Sequence, residues 1–120
     1  LLGHSAMMIN EGLPNFIVSQ MKSKYKLNKR KVGILGMAFK ANVDDIRDSL
    51  SFKILKILTF NGAEVLCSDE YASNPEFVSK EELVSKCETI IIGAPHSSYE
   101  NFKIPANVEV IDIWKILPIK

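Results

Sequence analysis

The chain has 120 residues, 47% of them apolar, with 15 basic and 14 acidic side chains and a formal net charge of +1. That length suits one domain burying about two-thirds of its unfolded surface, so folding requires no metal or disulfide, and the apolar content excludes a disordered chain. The charge balance excludes a broad field for nucleic acid or an anionic membrane, and no apolar run reaches the ~18 residues of a membrane span.

Residues 5–25 predict a helix, with Ile9, Leu13, Phe16, Ile17 and Met21 at helical spacing. Pro14 is expected to kink it or to open a second segment. Residues 23–31, SKYKLNKRK, read as a solvated basic connector. Residues 31–35 form a short apolar run closed by Gly36, the pattern of a buried strand. A polar loop follows, and then a helix over 51–61 with Phe52, Ile54, Leu55 and Leu58 on one side. Ser49 or Ser51 can cap its start, and Asn61-Gly62 supplies a left-handed stop. Residues 64–68 read as a second strand ending at Asp69, and Ser79-Lys80-Glu81-Glu82 has the form of a capping box opening a helix through Lys86. Residues 89–92 predict a third strand, 97–102 a helical turn and 108–113 a fourth strand.

Strands alternating with helices predict parallel β-α-β units with right-handed crossovers. The expected fold is α/β, a Rossmann-like three-layer domain with a mostly parallel sheet, preceded by an N-terminal helix. Ligands of such sheets bind beyond the carboxyl ends of the strands, which directs attention to the loops after Leu35, Ser68, Ile92 and Ile113.

The first of these loops carries most of the chemistry. Gly36-Met37-Ala38-Phe39-Lys40-Ala41 loosely resembles a dinucleotide fingerprint, yet the chain does not turn straight into a helix whose N-terminus would receive pyrophosphate. Residues 36–49 intervene, with Lys40, Asp44, Asp45, Arg47 and Asp48. Phe39 and Lys40 read either as a ring beside a base with an ammonium near phosphate, or as a core ring with a surface amine. Arg47 reads either as a structural ion pair with its flanking acids or as a fork for phosphate or carboxylate. Asp69 resembles the acid that holds a ribose hydroxyl in dinucleotide folds, although it follows a loop of the wrong type. His4 and His96 read as surface or loop residues, Cys67 as core and Cys87 as packed at a helix end. The cysteines have neither CxxC spacing nor a nearby His pair, so no zinc site is expected. With no G-x-S-x-G, H-E-x-x-H, P-loop or clear carboxylate pair, no catalytic residue and no metal ligand is assigned. Residue chemistry alone reaches a nucleotide-binding α/β domain that is catalytically incomplete.

Residues 31–58, KVGILGMAFKANVDDIRDSLSFKILKIL, resemble the UDP-glucose/GDP-mannose dehydrogenase family at the start of its C-terminal domain. That family reads V-x-x-L-G-L-A-F-K-x-x-x-D-D-x-R-x-S-P. The match includes Leu35-Gly36, Ala38-Phe39-Lys40, Asp44-Asp45, Arg47 and Ser49, with Leu50 where proline is common. Ile9-Asn10-Glu11 with Pro14, Gly62-Ala63-Glu64-Val65 with Ser68-Asp69, and Gly93-Ala94-Pro95-His96 with Tyr99 extend the resemblance over most of the chain.

The resemblance implies that residues 1–28 are the end of an inter-domain helix and a linker, and 29–120 a UDP-sugar-binding α/β domain. It implies substrate contacts at Phe39 and Lys40, with Arg47 reaching toward NAD. The full enzyme would then be an NAD-dependent UDP-sugar 6-dehydrogenase, oxidising the sugar C6 alcohol to a uronate through a cysteine thiohemiacetal and thioester. Its setting would be cytoplasmic, its state a homodimer or higher, its partners the NAD-binding and central domains of the same enzyme, with no nucleic acid or membrane. The family's Gly-Gly-x-Cys motif does not occur here, so the chain alone is expected to be inactive. The rival reading is a stand-alone nucleotide-binding or signalling module of flavodoxin-like shape, such as a receiver domain. A receiver needs acids after its first and third strands, where this chain has Gly36-Met37 and Gly93-Ala94.

Overall fold

The computed structural model describes the backbone of residues 2–38, 49–72 and 74–113, with side chains from residue 12 onward in those ranges. In chain order the elements are α1 (Leu2–Lys24), β1 (Lys31–Leu35), α2 (Leu50–Phe60), β2 (Glu64–Ser68), α3 (Lys80–Lys86), β3 (Thr89–Ile92), a 3-10 turn at Ser97–Tyr99, and β4 (Glu109–Asp112).

α1 is one helix that runs through Pro14, so the proline does not open a second segment. Its later turns bury Ile17, Val18 and Met21 in the same core as Ile54 and Leu58 of α2. Burial of each such side chain contributes roughly 1.5–3 kcal/mol, and the three together outweigh the cost of about 3 kcal/mol for a proline inside a helix. The connector that follows is tied down rather than merely solvated. Leu27 is buried, and Arg30 donates from Nε to Thr89 Oγ1 at 3.0 Å while its guanidinium lies 3.9 Å from the centre of the Tyr25 ring.

The ends of α2 and α3 follow local chemistry. Ser49 sits in extended geometry and accepts from the Phe52 N–H, and α2 stops at Asn61 before Gly62 at φ 86. Ser79 likewise accepts from the Glu82 N–H at the start of α3. The Glu82 carboxylate pairs with Lys86 one turn on, at 3.4 Å, instead of returning to the cap.

The sheet is fully parallel among the described residues, with strand order β2-β1-β3-β4. Ile34 pairs with Cys67 on one side and Ile91 on the other, and Ile91 pairs with Ile111. Alternate side chains enter different cores. Val32, Ile34 and Ile91 pack under α1 and α2, whereas Leu35, Ile90 and Ile92 pack with Leu83, Val84 and Tyr99. The result is three layers, with α1 and α2 on one face and α3 with the 3-10 turn on the other.

This winding creates a topological switch point. The chain leaves β1 over one face to reach β2, then returns past β1 over the other face to reach β3. The adjacent strands β1 and β3 therefore flank the topological switch point of the sheet, and ligands of such sheets bind beyond the carboxyl ends of the strands there.

Candidate functional site

At the end of β1, Gly36 turns the chain with φ 91, and its N–H donates to Ser68 O at 2.8 Å. Gly93, at the end of β3, donates to Leu35 O at 2.8 Å. The two exit loops touch backbone to backbone. A Cβ on Gly36 would lie 2.7 Å from the Ala94 nitrogen, and one on Gly93 would lie 1.9 Å from Ser51 Oγ and 2.7 Å from Gly36 O. Ser51, in the first turn of α2, donates from its buried hydroxyl to Gly36 O. Loop 36–49 is thus closed at its neck by a contact between its two ends, while Ser49 directs the departing chain into α2.

Asp69 binds these loops from below. Its Oδ2 accepts from the N–H groups of Met37 at 2.7 Å and Ala38 at 2.9 Å, and lies 2.9 Å from His96 Nε2. Its Oδ1 accepts from Tyr71 at 2.7 Å and Ala72 at 3.0 Å. Both the Asp69 and His96 side chains are 0% exposed. Burial alone would push the Asp69 carboxyl up, but the bonds from His96, Tyr71, Met37 and Ala72 together hold it below its ordinary value. An ionised carboxylate only accepts, so His96 Nε2 carries the hydrogen of this contact. The imidazole also meets two aromatic rings, Tyr71 at 4.6 Å and Tyr99 at 5.4 Å between centroids.

Two sequence readings change here. His96, read as a surface or loop residue, does lie in the loop after β3, but it is buried and links that loop to the one after β2. Asp69, read as resembling a ribose-binding acid, already receives five donors, from Met37, Ala38, Tyr71, Ala72 and His96. A carboxylate offers about four lone-pair sites, which leaves none for a sugar hydroxyl. Part of this role has a local signal, because an Asp commonly accepts from the backbone two residues on. Its bonds to Met37 and His96 have none.

The predicted contacts Phe39, Lys40 and Arg47, like Asp44, Asp45 and Asp48, lie outside the described residues. Their flanks are placed: Ala38 and Ser49 are both buried. The described residues do not by themselves fit a dinucleotide, since β1 does not feed directly into a helix N-terminus, Ser49 caps α2 and Asp69 is saturated. Cys67 and Cys87 are free, buried thiols. Burial pushes Cys67 up to about 12 and Cys87 up to about 11, so neither is an activated nucleophile. Among the described residues no group of three or more His, Cys, Asp or Glu could hold a metal, and no helix is long and apolar enough to cross a membrane.

Residues 33–118 match the model of the UDP binding domain of the UDP-glucose/GDP-mannose dehydrogenase family. The UDP-N-acetyl-D-mannosamine dehydrogenase of Methanocaldococcus jannaschii is 37% identical over 102 residues, which is 82% of this chain and 23% of that protein. The native structure of the UDP-N-acetyl-mannosamine dehydrogenase Cap5O from Staphylococcus aureus superposes with a TM-score of 0.80 at 26% identity, covering 93% of this chain and 29% of that one. A UDP-glucose dehydrogenase from Pyrobaculum islandicum gives a TM-score of 0.78 at 28% identity, covering 88% of this chain and 27% of that one. The chain therefore spans about a quarter of the length of these relatives. With the loop motif and the doubly wound sheet in agreement, the chain belongs to the UDP-glucose/GDP-mannose dehydrogenase family and carries its UDP binding domain.

Proposed function

We propose that this chain forms the nucleotide-sugar wall of the active-site cleft in an NAD-dependent UDP-sugar 6-dehydrogenase. The observation that carries the reading is the start of loop 36–49 at the carboxyl end of β1, beside the switch point of the sheet, with the family's loop motif inside that loop. Lys40 sets its ammonium against the diphosphate, Phe39 lies beside the base or sugar, and Arg47 reaches across the cleft toward NAD. Residues 1–28 are the end of an inter-domain helix and its linker, and residues 29–120 the binding domain. The complete enzyme is cytoplasmic, a homodimer or higher, and oxidises the sugar C6 alcohol to a uronate with NAD as hydride acceptor. The thiol chemistry, the dinucleotide fingerprint and the greater part of the NAD site belong to its NAD-binding and central domains. This division agrees with the two buried, high-pKa thiols found here.

Calorimetric titration of UDP into the 120-residue chain tests the binding role. UDP is expected to bind weakly, because only one wall of the cleft is present. Lys40→Ala should weaken it by about tenfold, the scale of one lost charge-assisted hydrogen bond. Equal binding by both forms removes Lys40 from the site, and absence of UDP binding by the unaltered chain overturns the reading. The chain alone should produce no NADH from UDP-sugars, and turnover would show that the catalytic division is wrong.

A further inference from the structure

We propose that Asp69 and His96 are positioning residues for the ligand loop: the buried pair couples the three carboxyl-end loops, so that the residues after Ala38 meet the nucleotide-sugar in a set geometry. The inference rests on the proposed function, since it concerns the same site.

The bonds of Asp69 reach three loops. One oxygen takes the N–H groups of Met37 and Ala38, the two residues that lead directly into Phe39. The other takes Tyr71 and Ala72, which orders the exit of β2. His96 joins the exit of β3 to the first of these oxygens at 2.9 Å. One carboxylate therefore holds the starts of three loops that leave three different strands. A residue needed only to satisfy its own turn would bond to Tyr71 and Ala72 and stop there.

Burial makes the arrangement stiff. Both side chains are fully inaccessible, so water does not replace a lost bond without opening the site. The imidazole is also constrained by the Tyr71 and Tyr99 rings. The other end of the ligand loop is held independently, by Ser51 against Gly36 O and by Ser49 at the cap of α2. The pair thus sets the direction in which the chain enters a loop whose exit is already held. Affinity built on a preorganised loop falls when that direction is released, because ordering must then be supplied by the ligand.

The test uses the 120-residue chain and three variants. His96→Phe keeps a ring against the two tyrosines and deletes the donor, whereas His96→Gln keeps a donor without the ring. Asp69→Asn keeps the shape and removes the charge. UDP affinity and amide hydrogen exchange at Met37 and Ala38 are measured on each. His96→Phe and Asp69→Asn should weaken UDP by about tenfold and speed exchange at both amides by a similar factor, the scale of one hydrogen bond to a charged group. His96→Gln should restore most of both losses, and a purely packing role for the ring would give the reverse order of the two His96 variants. If Lys40→Ala weakens UDP while His96→Phe and Asp69→Asn do not, the positioning role is overturned and the proposed function stands. If the unaltered chain does not bind UDP, the proposed function falls. Exchange then decides for the pair: unchanged protection of Met37 and Ala38 in both variants overturns it as well.

Discussion

At the amino end of the sheet, Arg30 reaches Thr89 and Glu88, and the Glu88 carboxylate also accepts from the Lys31 N–H at 3.3 Å. At the carboxyl end, Asp69 gathers four backbone N–H groups and His96. Each network joins β3 to other parts of the chain, and each uses one acid and one basic side chain. They differ in access to water. The Glu88 side chain is 55% exposed and its pair with Arg30 spans 3.7 Å, whereas the Asp69 and His96 side chains have no exposed surface. Exposed pairs contribute about 0–1 kcal/mol because solvent screens them and replaces either partner. A buried network offers no such replacement, so deleting the carboxylate leaves several donors orphaned. The amino end is fastened by interchangeable contacts, and the carboxyl end, where the ligand loop starts, by contacts that are not interchangeable.

The largest test of this contrast is Asp69→Ala, expected to cost about 3–5 kcal/mol in urea unfolding because it strands buried donors. A loss below about 1 kcal/mol would place the two ends on the same footing. The same carboxyl predicts an acid limb. Its folded value lies below the unfolded value of ~3.9, so its stabilisation is complete above that pH and is lost as pH falls through the folded value. Asp69→Asn should flatten that part of the stability profile.

An intermediate effect is expected at the neck. Gly93→Ala would drive a methyl to 1.9 Å from Ser51 Oγ and should cost about 1–3 kcal/mol. Adding Ser51→Ala should recover only part of it, because Gly36 O at 2.7 Å remains in the way. Full recovery would mean that the backbone approach between the two exit loops is not a constraint. The smallest change belongs to Glu88→Gln, expected to cost less than about 1 kcal/mol and to lose even that in high salt. A larger, salt-insensitive loss would show that the amino end is more than a solvated pair.

Local chemistry made most elements legible. Short apolar runs located β1, β2 and β3, Ser49 and Ser79 announced the starts of two helices, and Asn61-Gly62 announced a stop. These signals act within a few residues, so they survive without knowledge of the fold. The connector is largely exposed, as read, but its fastening was not legible because Arg30 finds its hydrogen-bond partner 59 positions away, at Thr89. The burial of His96 was not legible for the same reason, since its carboxylate lies 27 positions earlier and no spacing rule joins the two.

The order and type of the strands and helices, and the loop motif that marks the family, are properties of the linear sequence, since each follows from neighbouring side chains and backbone. Which acid holds the loop, and which histidine is buried, were decided by the sheet. Winding in opposite directions from β1 brings the ends of β1, β2 and β3 together, and a carboxylate at that junction is dehydrated and surrounded by loop N–H groups. Asp69 changes there from a candidate sugar ligand into an anchor, because every lone pair it could offer outward is already used within.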